Sequence, residues 1–106
     1  MNLRHAHKLF PKAQHTQYRH AAIVYRGSNI VAMGVNHDRV HAEVQALKKL
    51  WPSERRGTKV VSLMLTRSGN LGLAKPCKAC ENFMRENGVK LCVYSNAKGE
   101  MERMKL

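Results

Sequence analysis

Acidic residues are scarce in this chain. Seven Asp and Glu stand against nineteen Lys and Arg, a formal net charge of +12 over 106 residues, and none of the seven precedes Asp38. Such a surface disfavours cationic partners and favours phosphates, polyanions and acidic surfaces, although solubility alone would also account for it. Long apolar runs are missing too. No stretch approaches the ~20 apolar residues of a membrane helix, and the opening MNLRHAHKLFPKAQHTQYRH has no apolar h-region, so neither a membrane span nor a secretory leader is expected. Cysteine is limited to Cys77, Cys80 and Cys92, which excludes a disulfide framework. Aromatic residues are few: Phe10, Tyr18, Tyr25, Trp51, Phe83 and Tyr94. What is present, 43% hydrophobic and 25% charged residues, is ordinary globular usage. The expectation is one soluble, cytoplasmic domain over 1–106.

The apolar periodicity changes along the chain. Leu3, Ala6, Leu9, Phe10 and Ala13 form a rough helical stripe over 3–17, interrupted by Pro11. HAAIVYR (20–26) and IVAMGV (30–35) are β-prone runs on either side of Gly27-Ser28-Asn29, a hairpin signal. From His41 the spacing turns helical: Val44, Leu47, Leu50 and Trp51 form a core stripe, ended by Pro52-Ser53 and Gly57. TKVVSLMLT (58–66) predicts a strand covered on both faces. RSGNLGLAK reads as a loop, 77–87 as a helix opened by Pro76 and stopped by Gly88, 89–94 as a strand, and EMERMKL as an edge strand. Strands alternating with helices imply an α/β layer fold, with helices packed on a central sheet.

His41, Cys77 and Cys80 are a metal-ligand set. Catalytic zinc needs three protein ligands and an open position, and these three have suitable softness. Cys77 and Cys80 lie at i and i+3 on one helix face, near the dipole end that favours thiolates. His41 and Glu43 would point about 200° apart on a regular helix, so both can face one centre only if His41 opens the helix. Two alternatives use the same cysteines. A structural zinc site would require a fourth protein ligand, for which Cys92 is the spare, yet its mid-strand place reads as a buried core thiol. A thioredoxin-like redox pair would leave His41 and Glu43 idle. His5, His7, His15, His20 and His37 are irregularly spaced in basic surroundings and read as surface residues.

His41-Ala42-Glu43 followed by Pro76-Cys77-Lys78-Ala79-Cys80 resembles the H-x-E…P-C-x-x-C signature of the cytidine deaminase superfamily. The resemblance extends to the order of elements from His20 to Tyr94. It implies an α/β/α layer fold, with a central mixed sheet of about five strands and flanking helices. It also implies Zn2+ held by His41, Cys77 and Cys80, with Glu43 as the proton shuttle. The reaction would be hydrolytic conversion of cytosine to uracil. Asn36 and Ala42 become the expected substrate contacts. Asn36 has a plainer reading as a polar residue ending a strand, and Asp38 stands where nucleoside-specific members carry Glu of an Asn-x-Glu motif. The charge turns the substrate expectation toward single-stranded nucleic acid or a cytosine nucleotide, with no membrane partner. Free cytidine, deoxycytidine or deoxycytidylate is the alternative, and a non-catalytic nucleic-acid-binding zinc protein a further one. Tyr18 and Phe10 are the expected base contacts, and a homo-oligomer is compatible with the resemblance.

A polynucleotide substrate predicts a steep loss of affinity with salt, about −0.7 in log K per phosphate contact on a single strand. Changing Arg4, Lys8, Lys12 and Arg19 together to Ala should flatten that slope without loss of zinc. Titrations of single-stranded DNA at two salt concentrations measure it; a shallow wild-type slope would turn the expectation toward a mononucleotide.

Overall fold

The computed structural model describes residues 19–36, 41–66 and 68–106. The helix expected over 3–17, with Phe10, Tyr18, Arg4, Lys8 and Lys12, lies outside them, as do His5, His7, His15, His37 and Asp38. The described chain begins with β1 (Arg19–Arg26) and β2 (Asn29–Val35). They pair antiparallel, with Arg26 opposite Asn29, so Gly27-Ser28 is the turn, and Gly27 adopts a φ of 63°. That conformation is open to glycine at little steric cost. Next come α1 (Ala42–Lys48), a short α2 (Pro52–Arg55) and β3 (Lys59–Leu65). A two-residue β4 (Leu71–Gly72), α3 (Lys78–Glu86), β5 (Leu91–Ser95) and β6 (Met101–Lys105) complete it.

The strands form one mixed six-stranded sheet in the order β2-β1-β3-β5-β6, with β4 paired to the end of β3. Only β3 and β5 run parallel; the other pairs are antiparallel. The expected central mixed sheet with helices is therefore present, and the sixth strand is β4, too short to carry an alternation. Successive residues of β1 supply opposite faces: Ala22 and Val24 join Val60, Cys92, Ala46, Leu47 and Met84 on the side where α1 and α3 pack. Ala21 and Ile23 join Val61, Leu63 and Val93 on the other. The near-continuous apolar run of β3 follows from this two-sided burial.

Two sequence readings change. Trp51 does not belong to the core stripe: α1 ends at Lys48, and Trp51 is 76% exposed. Pro52 drives the residue before it out of the helical region, and Trp51 is extended at φ −60°, ψ 146°. Leu50, one position earlier, packs against the core instead. His20 is the second change, being buried on the helix-covered face and not at the surface.

Helix α1 sits unusually close to β2. A Cβ on Gly34 would lie 2.7 Å from the Ala46 nitrogen and 2.8 Å from the Ala42 carbonyl oxygen. The Val35 N–H donates to Gln45 Oε1 at 2.6 Å, and Lys49 Nζ donates to the Met33 carbonyl at 2.6 Å. Gly34→Ala should cost about 1–3 kcal/mol, the usual range for overpacking. Urea unfolding of wild type and variant tests this, and equal midpoints would show that the helix has room to move.

Candidate metal and catalytic site

Two helix mouths converge on one point. His41 is the N-cap of α1, with extended φ −71° and ψ 151°, and Cys77 is the N-cap of α3 at φ −67°, ψ 166°. Neither is constrained by the helical wheel, which is how His41 reaches the same region as residues deeper in the fold. Cys77 displaces the expected role of Pro76: the proline precedes the cap and does not open the helix. Cys80 lies one turn into α3. The ligand atoms of His41, Cys77 and Cys80 all fall within 4.8 Å of one another, with His41 and Cys77 exposed and Cys80 buried. An imidazole and two thiols at that separation suit a tetrahedral N/S-binding cation with one position left open. Cys92 does not join them; it is fully buried in the core cluster.

Other influences act on the Cys80 thiol besides the dipole of α3. Burial pushes this thiol well above its ordinary value, and the Glu43 carboxylate pushes it further. A bound divalent cation reverses that balance, because a coordinating thiol is deprotonated outright. Burial likewise raises the Cys92 thiol, to about 12.

Glu43 is the most unusual side chain in the fold. It has no solvent exposure, and neither carboxylate oxygen has an aligned hydrogen-bond partner among the described residues. Its nearest polar neighbour is His20, whose Nε2 lies 3.0 Å from Glu43 Oε1. Burial raises the Glu43 pKa, yet contact with His20 and the charge of that ring outweigh it, leaving the carboxyl below its ordinary value.

His20 Nε2 is also 2.5 Å from Ser62 Oγ, and Ser62 Oγ donates to the Ala74 carbonyl at 3.0 Å. With its proton given to Ala74, the hydroxyl accepts from His20, which places a proton on Nε2. The N–H axis thus points to Ser62 while Glu43 approaches from the side. Sequence reasoning missed both residues. Their signals were a histidine in phase with Ala22 and Val24, and a single hydroxyl inside the apolar run of β3.

Asn36 ends β2 and closes the ladder: its N–H donates to the His20 carbonyl at 3.1 Å, and its Oδ1 accepts the His20 N–H at 3.1 Å. It therefore fixes the backbone of the residue beside Glu43. The Ala42 side chain is fully buried in the core cluster. A cavity of about 340 Å³ adjoins the donors, lined by His41, Cys77, Cys80, Val44, Lys48, Ala79 and Phe83.

The chain matches the family model described as the cytidine and deoxycytidylate deaminase zinc-binding region over residues 2–96. Among solved structures it is similar to the dCMP deaminase of cyanophage S-TIM5 in apo form, with a TM-score of 0.53 and 23% identity. That likeness covers 74% of this chain and 66% of the phage enzyme, so the chain spans just under two thirds of its length. It is also similar to the cytidine deaminase of Mycobacterium leprae, with a TM-score of 0.61 and 14% identity over 94% of this chain and 87% of that one. At such identities the structural likeness establishes the fold. No curated protein sequence matches. The family match spans most of the chain, the fold agrees, and the donor set suits the metal. The chain belongs to the cytidine and deoxycytidylate deaminase zinc-binding family, whose cofactor is zinc.

Proposed function

We propose that this protein is a hydrolytic deaminase that converts a cytosine base to uracil. The observation that carries the proposal is the fully buried Glu43 carboxylate, without aligned partners, beside the His41–Cys77–Cys80 cluster. A purely structural metal site has no use for such a group, and a buried carboxylate whose nearest polar neighbour is a histidine committed to Ser62 retains acceptor capacity for a bound reactant. In this reading His41, Cys77 and Cys80 hold zinc. Zinc bound there supplies Lewis acidity and lowers the pKa of a water to about 7. Glu43 removes a proton from the attacking water and delivers it to the ring nitrogen of the base. Oxygen bonds to C4; Glu43 then takes the remaining proton of that C4 hydroxyl and passes it to the exocyclic amine, whose bond to C4 breaks as the C4 carbonyl forms. One water enters, and one ammonia leaves. Asn36 and Ala42 are the expected substrate contacts, Ala42 through its backbone.

The base would be carried on single-stranded nucleic acid or a cytosine nucleotide. Lys48 in the lining of the cavity and the net charge of +12 support a phosphate-bearing substrate. A free nucleoside would gain nothing from either.

Glu43→Gln should retain one zinc per chain by elemental analysis while turnover falls by ~10²–10⁴-fold, the usual weight of general acid–base catalysis. Mass spectrometry of deoxycytidine, deoxycytidylate and single-stranded DNA and RNA supplies the readout; wild-type rates in the variant would rule out this mechanism.

His20 is the positioning residue for Glu43. His20→Leu should lower kcat by roughly 100-fold, the penalty for misplacing a catalytic group by ~1 Å, with KM little changed. His20→Gln, which keeps an N–H donor, should recover part of the loss. In a Glu43→Gln background the Leu substitution should have no further effect, because the two residues act as one unit. Equal losses in both backgrounds would reduce His20 to a structural role.

A further inference from the structure

Among the described residues the most exposed large apolar side chain is Trp51, at 76%, against 58% for Leu73 and 37% for Val31. The backbone around it is held firmly. The Trp51 N–H donates to Glu54 Oε1 at 3.1 Å, and the Glu54 N–H donates back to the Trp51 carbonyl at 2.8 Å. Arg55 Nε donates to the Leu50 carbonyl at 3.1 Å and its NH1 to Asn87 Oδ1 at 2.9 Å, while Arg26 donates to the Glu54 carbonyl. The indole is therefore presented to solvent by a rigid turn. An exposed aromatic that loses little freedom on binding suits a stacking surface.

The turn follows the C-terminal end of α1, about 15 Å along the helix from His41 at its mouth, and the cavity beside the ligand candidates extends toward it. Lys48, three residues earlier, lines the cavity beside His41, Cys77 and Cys80. The Arg55 guanidinium lies 6.0 Å from the ring centre of Phe83, another lining residue. Lys48, Lys49, Arg55 and Arg56 surround Trp51 in the chain, and Glu54, already holding the turn, is the single acid among them. Cations beside an exposed aromatic are the elements of single-strand recognition, in which phosphates meet the charges and bases stack on the ring.

We infer that Trp51 is a base-stacking platform on a single-stranded nucleic-acid track that leads to the His41–Cys77–Cys80 site. This rests on the proposed deaminase reading and commits its substrate to a strand. A base further along the same strand stacks on the indole, and Lys48 and Arg56 meet the adjoining phosphates.

Trp51 is the protein's one tryptophan, so its fluorescence reports directly on the platform. Titrating the zinc-loaded full chain with a short oligodeoxycytidylate should give saturable quenching. Inorganic polyphosphate, which has charge but no bases, should give none. Trp51→Ala should raise KM for the oligonucleotide by roughly 5- to 140-fold, the equivalent of one stacked base, and leave turnover of any free deoxycytidylate unchanged. Trp51→Phe should restore part of the affinity. Equal quenching by polyphosphate, or an unchanged KM in Trp51→Ala, would overturn the inference while leaving the deaminase reading intact. Turnover of deoxycytidylate but of no strand would overturn the strand substrate. Loss of a wild-type dimer in Trp51→Ala, seen by sedimentation, would assign the indole to a subunit contact and overturn the platform.

Discussion

A carboxylate sealed inside the protein is the constraint to which the rest of this fold answers. Glu43 sits between a helix and a sheet with no solvent to stabilise its charge, an arrangement that is unfavourable without compensation. The compensation runs through His20 to Ser62 and on to the Ala74 carbonyl. This line of polar groups crosses from β1 to β3 and then to the segment that leads into Cys77. One end touches the catalytic candidate, and the other fixes the approach to two metal-ligand candidates. Ser95 repeats the device nearby: its hydroxyl donates to the Gly72 carbonyl at 2.6 Å and accepts from the Met64 N–H at 3.3 Å. The sheet thereby positions a loop that contains little regular structure of its own.

Much of this was legible in the residues. Alternating β-prone runs located the hairpin and both central strands. The change to helical spacing at His41 placed that residue at a helix mouth, which the wheel argument required. The three ligand candidates came from residue chemistry and spacing together with the resemblance of His41-Ala42-Glu43 and Pro76-Cys77-Lys78-Ala79-Cys80 to a known signature. His20 was harder because alternation along one strand separates two faces without saying which is covered by a helix. Its significance lay in Glu43, which is distant in sequence and meets it only after folding. Trp51 was misread for a different reason. Its spacing from Val44 and Leu47 fits a helix, but Pro52 acts on the backbone conformation of its predecessor, and that local effect outweighed the apolar pattern.

In the proposed reading, chemistry and recognition occupy different parts of the molecule. The buried polar line is sheltered from solvent and from salt, whereas the cations around the 48–56 turn are exposed and screened by it. Affinity in such a design varies with ionic strength, while the reacting geometry stays fixed. Substrate range can then change through surface residues without touching Glu43 or the ligand candidates.

The parallel pairing of β3 with β5 has a consequence for how the domain comes together. The antiparallel neighbours β1 and β2 are joined by a tight turn, a short loop closure that forms readily. A parallel partner requires a crossover, and here that crossover carries α3 with Cys77 and Cys80. Two of the three candidate ligands are thus delivered by a pairing whose partners lie 32 residues apart, and the His41 side depends on β1–β3 pairs that lie 34 to 46 residues apart. An ion held by all three candidates would tie the mouth of α1 to the mouth of α3, and its binding energy would add to the stability of the closed sheet.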